Sequence, residues 1–128
     1  MSDLRSGIAS CALGQAREVE SCVSERRHIF PPEFAGFSGH FPGNPIFPAF
    51  VQILAASVLV EEALGRPLTL ISVERAKFMT VVGPDQEVTI RCRIRETADS
   101  VTCDARLTVA DAVASTMILM FQRSDAIL

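Results

Sequence analysis

The sequence predicts an α+β domain in which an antiparallel sheet curls around one buried helix. Three observations predict it. Residues 48–64 read PAFVQILAASVLVEEAL, apolar on nearly every helical face. Directly after them the hydrophobic period drops from helical spacing to strict alternation. Short polar turns, GPDQ at 83–86, TADS at 97–100 and ADA at 110–112, then divide the remaining chain into strands. A sheet with one apolar face needs a cover, and this helix is the candidate for it.

The elements follow in order. Residues 1–14, with short and interrupted apolar content, are expected to be a loose segment ahead of a single domain over 15–128. From Gln15 to Phe30, Val19, Cys22, Val23 and Ile29 sit among many charges, which reads as a strand pair or one long bent strand. Pro48 suits the first helical position, and Gly65 followed by Pro67 closes the helix. Only Gln52, Ser57 and the terminal Glu61 and Glu62 interrupt its apolar surface, as expected of a core helix about four turns long. Ile71 to Val82 supplies the next strand. In EVTIRCRIRE, Val88, Ile90, Cys92 and Ile94 alternate with polar residues; in VTCDARLTV, Val101, Cys103, Ala105, Leu107 and Val109 do the same. Val113 to Phe121 completes four strands, expected as a hairpin-linked series.

At 128 residues the chain fits one domain with a real core. A net charge of −3 and a pI near 5.3 leave no footprint for nucleic acid or anionic lipid, so neither is expected as a partner. The N-terminus lacks a signal-peptide pattern, and no apolar run reaches the roughly 18–20 residues of a membrane span. A cytoplasmic location is therefore expected. Cys11, Cys22, Cys92 and Cys103 show no metal-type spacing and read as reduced thiols, with Cys92 and Cys103 filling the core. Arg91, Arg93 and Arg95 form a positive stripe on the solvent face of their strand.

Eight phenylalanines carry all the aromatic mass, and five of them fall between Phe30 and Phe47. That density suggests a packed corner or the wall of an apolar channel. One of only two histidines, His40, lies inside this stretch, in GHFPGNPIFPAF; His28, in ERRHIF, has no motif around it and reads as structural.

The GHFPGNPIFPAF string resembles the active-site motif of the 3-hydroxyacyl-acyl carrier protein dehydratases of fatty acid synthesis, roughly G-H-F-P-G-x-P-x-x-P-G. Downstream, SVERAKFMTVVGPDQEV is similar to the same family's strand-and-turn segment, so the likeness runs from about residue 15 to 122. The resemblance implies the hotdog fold, a sheet wrapped around a long central helix. It also implies a homodimer, or a higher assembly, with a tunnel between subunits, and a substrate carried as a thioester by acyl carrier protein or coenzyme A. No metal or organic cofactor is expected, because proton transfer next to a thioester needs neither.

By the same resemblance His40 is the base. Removing a proton beside a thioester carbonyl calls for a group that titrates near neutrality, and imidazole does so. The enolate oxygen needs fixed donors, and the backbone N–H of Ala49, where the family has glycine, lies in the first turn of the helix. Phe41, Gly43, Ile46, Phe47, Pro48 and Phe50 would line the acyl path. Arg75 and Lys77 would meet an acidic carrier protein.

The sequence departs from the family at Leu54, fourteen residues after His40, where the family carries the Glu or Asp that protonates the leaving hydroxyl. Gln52 is no useful acid, Ser57 could hold only a water, and Glu61 and Glu33 are the carboxylates within reach of consideration, beside an acid supplied by a partner chain. A dehydratase with His40 as base is the leading reading. A non-catalytic acyl-thioester-binding module, or the inactive subunit of a dehydratase pair, is the alternative. A thioesterase ranks last, since NPIFPAFVQ offers no carboxylate at the helix N-terminus.

Overall fold

The computed structural model describes residues 2–37 and 46–123. They form helix α1 (Ser2–Ser10), strands β1 (Ala12–Glu20) and β2 (Val23–Ile29), a 3-10 turn at Ala35–Phe37, helix α2 (Ala49–Leu64), and strands β3 (Leu68–Phe78), β4 (Glu87–Glu96), β5 (Ser100–Val109) and β6 (Ala112–Arg123). The strands make one six-stranded sheet in the order β1-β2-β4-β5-β6-β3, antiparallel throughout. Helix α2 touches α1 and strands β1 to β5, the wrapped arrangement of the hotdog fold.

Turn chemistry sets much of this order. Ala110 and Asp111 both take positive φ, 52° and 66°, the geometry of a two-residue I′ turn, and β5 and β6 pair on either side of it. The Gln15–Phe30 stretch resolves into a strand pair, β1 and β2, closed by Cys22 at φ 64°. The alternation in β4 and β5 holds residue by residue: Val88, Ile90, Cys92 and Ile94 are buried with Val101, Cys103, Ala105, Leu107 and Val109. The hydrogen bond with Cys92, and then burial, hold the Cys103 thiol protonated well above the ordinary thiol range. Facing outward, Arg91 and Arg93 meet Glu20, and Arg91 also meets Glu25, so this stripe is partly neutralised.

Three expectations need correction. Strand β3 is not hairpin-linked to β4; it crosses to pair with β6 at the far edge of the sheet. Alternation fixes which face a residue takes but says nothing about which strand lies beside it. Pro48 does not open the helix from inside. Its φ of −68° and ψ of 155° are extended, so it is the N-cap, with no side-chain cap bond. Nor is α2 buried all round. Val51, Gln52, Ala55, Ala56, Leu59 and Val60 pack inward, whereas Phe50 is 60% exposed and Ile53 and Leu54 are half-buried. One chain's sheet covers one side of a helix and leaves the other open. Gly65, at φ 73°, closes α2 by donating its N–H to the Glu61 carbonyl.

The first fourteen residues, read as loose from their composition, contain α1 and the start of β1. Ile8 is fully buried, and Arg5 forms an ion pair with Glu61, so α1 is docked through one apolar side chain and one charge.

Phe30, Phe34, Phe37 and Phe47 form an aromatic corner beside the N-terminus of α2. Phe30 packs at a tilt 4.7 Å from Phe34 and 4.5 Å from Phe47, ring centre to ring centre, and Phe37 lies 6.1 Å from Phe47. A methyl group on Gly36 would come within 2.3 Å of the Phe34 ring, so any larger residue there would force that ring to move.

His28 lies flat against Phe30, ring centres 5.4 Å apart, 2% exposed, and its Nδ1 has no hydrogen-bond partner. Burial first, and the nearby Arg26 charge second, push its pKa down to about 4. The folded protein therefore disfavours the proton that the unfolded chain accepts. Stability from neutral His28 is fully present above about pH 6.5 and should fall by up to about 3 kcal/mol on acidification towards pH 4. Denaturant melts of His28→Leu should flatten this acid dependence; an unchanged slope would contradict it.

Candidate active site

The sequence places its densest signal before α2, and the structure builds a cleft at that end of the helix. Ile46, Phe47, Pro48, Ala49 and Gln52 form one wall and residues 78–82 form the other, enclosing about 340 Å³. The segment 46–48 is pinned from both sides. The Phe47 N–H donates to the Val82 carbonyl at 2.7 Å, and the Phe47 carbonyl accepts from Gln52 Nε2 at 3.1 Å. Across the cleft, Met79 and Thr80 both donate their N–H groups to the Ala114 carbonyl.

Helix geometry supplies the donors. The N–H groups of Val51 and Gln52 turn back to the Pro48 carbonyl, each at 3.1 Å. Those of Ala49 and Phe50 are the first two of the helix and have no intrahelical acceptor. Ala49 lines the cleft, with the positive end of the helix dipole behind its N–H. The alanine methyl at position 49 is exposed and leaves this N–H in place.

Of the residues expected in the site, Ile46, Phe47, Pro48 and Ala49 come together here. His40, Phe41 and Gly43 lie outside the described residues. Phe50 points to the open side of α2 and is not among the cleft-lining residues. Leu54 packs, half-buried, against the core cluster and does not line the cleft either. Arg75, at φ 51°, lies within a β-bulge of β3 and Lys77 resumes the pairing directly before the cleft residue Phe78; both are exposed.

The candidate stand-ins for the acid have other engagements. Glu61 pairs with Arg5 through one oxygen and accepts the Leu68 N–H through the other at 2.8 Å. It ties the C-terminal end of α2 to β3, away from the cleft. Ser57 donates to the Ile53 carbonyl at 2.9 Å, within its own helix. Glu33 is exposed in the turn after Pro31. Among the described residues that line the cleft, none has a titratable side chain. Among the described residues, no group of three or more His, Cys, Asp or Glu is placed to hold a metal ion, and no helix is long and apolar enough to cross a membrane.

Sequence reasoning passed over Gln52 as a poor acid and did not single out Ser115. Both are buried, 4% and 0% exposed, and the Ser115 hydroxyl donates to Gln52 Oε1 at 2.7 Å. A lone amide in an apolar helix was the available signal, because a buried amide requires partners.

Known proteins share this sequence and fold. The chain is 34% identical over 112 residues to the 3-hydroxyacyl-acyl-carrier-protein dehydratase FabZ of Lactobacillus helveticus, covering 80% of this chain and 73% of that one. It is 30% identical over 97 residues to FabZ of Chloroflexus aggregans, covering 70% and 67%. Among solved structures, the dehydratase heterocomplex ApeI:P from Xenorhabdus doucetiae shares the fold at a TM-score of 0.72 and 20% identity, over 88% of this chain and 96% of that one. A hypothetical thioesterase with coenzyme A from Streptococcus pneumoniae does so at 0.66 and 14%, over 97% and 99%. Residues 16–117 match the model of the ApeI-like family, described as ApeI dehydratase, and the chain belongs to that family of hotdog-fold, FabZ-like dehydratases.

Proposed function

We propose that the protein dehydrates 3-hydroxyacyl thioesters, carried by acyl carrier protein or coenzyme A, to 2-enoyl thioesters. The observation that carries this reading is the apolar cleft at the N-terminus of α2, where the Ala49 N–H has no helical acceptor. The thioester carbonyl would accept from that N–H, and His40 would take a proton from C2. The resulting enolate is stabilised by the donor and the helix dipole. As the C3–O bond breaks, the imidazolium of His40 returns its proton to the departing oxygen. Water leaves, the C2–C3 double bond forms, and the base is regenerated without a second acid. This route suits a cleft wall that carries no carboxylate among its described residues.

The exposed apolar side chains Phe50, Ile71, Phe78, Met79 and Val81 support a second copy covering the open side of α2 and the β3 edge. Light scattering should then weigh two chains or a multiple of two; a single-chain mass would contradict it.

A second reading is favoured by Leu54: the chain binds thioesters but is the silent member of a pair, as the name of the ApeI:P heterocomplex invites. Purified wild-type protein and Leu54→Glu, each given a 3-hydroxyacyl pantetheine thioester, separate the two. The proposed function expects enoyl product from wild type. Binding without product in wild type, with turnover gained in Leu54→Glu, would sink it in favour of the silent member.

A further inference from the structure

Gln52 is the polar side chain of the helical wall of the cleft, and its orientation is fixed by its partners. The Phe47 carbonyl can only accept, so the amide face toward it, at 3.1 Å, must be the NH2. Oε1 then faces Ser115, whose hydroxyl donates to it at 2.7 Å. Ser115 is fully buried on β6 and paired in register with Phe78, the first residue of the opposite cleft wall. The amide is thus clamped between the helix N-terminus and the sheet. It cannot rotate without losing both bonds.

That clamp leaves one group over. A glutamine amide has two N–H donors, and the Phe47 carbonyl takes one. The second finds no acceptor among the described residues, on a side chain that is 4% exposed and lines the cleft. A buried donor gains from an acceptor, and a polar atom of a ligand in the cleft would supply one. Gln52 lies three residues beyond Ala49 on the same face of α2, and its amide reaches back to the Phe47 carbonyl, so its N–H and that of Ala49 sit at the same end of the helix. A 3-oxygenated acyl thioester carries an oxygen on C1 and another on C3, two acceptors for these two donors. With the thioester oxygen on the Ala49 N–H, the oxygen on C3 falls to the Gln52 amide.

We infer that Gln52, clamped by Ser115 and the Phe47 carbonyl, is a specificity-determining residue whose free N–H binds the 3-oxygen of the acyl chain. The inference rests on the thioester reading above and adds what that reading lacks, a reason for choosing 3-oxygenated chains over plain ones. A donor of this kind serves a 3-hydroxyl and a 3-oxo group alike. It rejects a chain with hydrogen at C3, because the amide is then left buried and unsatisfied.

The test is calorimetric titration with 3-oxohexanoyl-pantetheine, which has the oxygen and cannot lose water, and with hexanoyl-pantetheine. Wild type should prefer the oxygenated ligand by roughly tenfold or more, the worth of one buried hydrogen bond. Gln52→Met, close in volume and without a donor, should bring the two affinities together mainly by weakening the 3-oxo ligand. Should that variant fold poorly by circular dichroism, Ser115→Ala, which releases the clamp while keeping Gln52, should narrow the preference in the same direction. Wild type binding both ligands equally would overturn the inference and leave the dehydratase reading standing. An undiminished preference in a folded variant would also overturn it. Failure of wild type to bind either ligand would overturn the inference and the thioester reading together.

Discussion

His40→Ala is expected to lower kcat for 3-hydroxyacyl thioester dehydration by about 10²–10⁴-fold, the usual worth of a positioned general base. The loss should be the larger here because the proposed route uses one imidazole twice, to take the C2 proton and to return it to the leaving oxygen. Leu54 can do neither, and Glu61 is held by Arg5 and the Leu68 N–H. Steady-state kinetics on a soluble pantetheine substrate measure it. The KM should change less than kcat, since the Ala49 N–H and the cleft walls remain. A variant that keeps more than about a tenth of wild-type kcat would remove His40 from the mechanism.

The largest expected loss of stability is at Phe30. Its ring is 1% exposed and touches His28, Phe34 and Phe47. Phe30→Ala should cost about 3–5 kcal/mol, because the surrounding rings cannot collapse into the space left behind. For a domain of this size that lowers the melting temperature by roughly 10 °C or more. The effect reaches the site, since Phe47 loses a packing partner on its core side while its backbone forms the cleft wall. Melts followed by circular dichroism read it directly. A loss under about 1 kcal/mol would show that the corner repacks freely and does not hold the cleft in shape.

What could be read from the residues was what local patterning controls. Strict alternation identified the inward faces of β4 and β5, Gly65 marked the end of α2, and the Phe30–Phe47 cluster became the aromatic corner. Pairing was less legible. Nothing in LTLISVERAKF says that β3 will cross to β6, since an edge strand is chosen by the register of the whole sheet. Helix α1 was hidden because one buried residue, Ile8, does most of its docking. The open side of α2 was hidden for another reason. Its apolar residues are equally compatible with a core in one chain and a face between two, and sequence alone does not distinguish these.

The site was legible in the same uneven way. Ile46, Phe47, Pro48 and Ala49 could be placed together from a motif because adjacent residues at a helix start must share a location. The clamp on Gln52 could not, because Ser115 lies sixty-three residues away and meets it only through the sheet. The same holds for Glu61. Its carboxylate reads as a spare acid in the sequence and becomes, with Arg5 and the Leu68 N–H, the fastening of the other helix end.

If His40 and the Ala49 N–H together make C2 of a bound thioester acidic, the C2 protons exchange with solvent. A 3-hydroxyacyl-pantetheine incubated with the protein in D2O can be followed by NMR at C2 and C3. Wild type should give deuterium at C2 together with enoyl product, and His40→Ala should give neither under the same conditions. A wild-type protein that binds the thioester yet leaves C2 unlabelled and forms no enoyl product would contradict it.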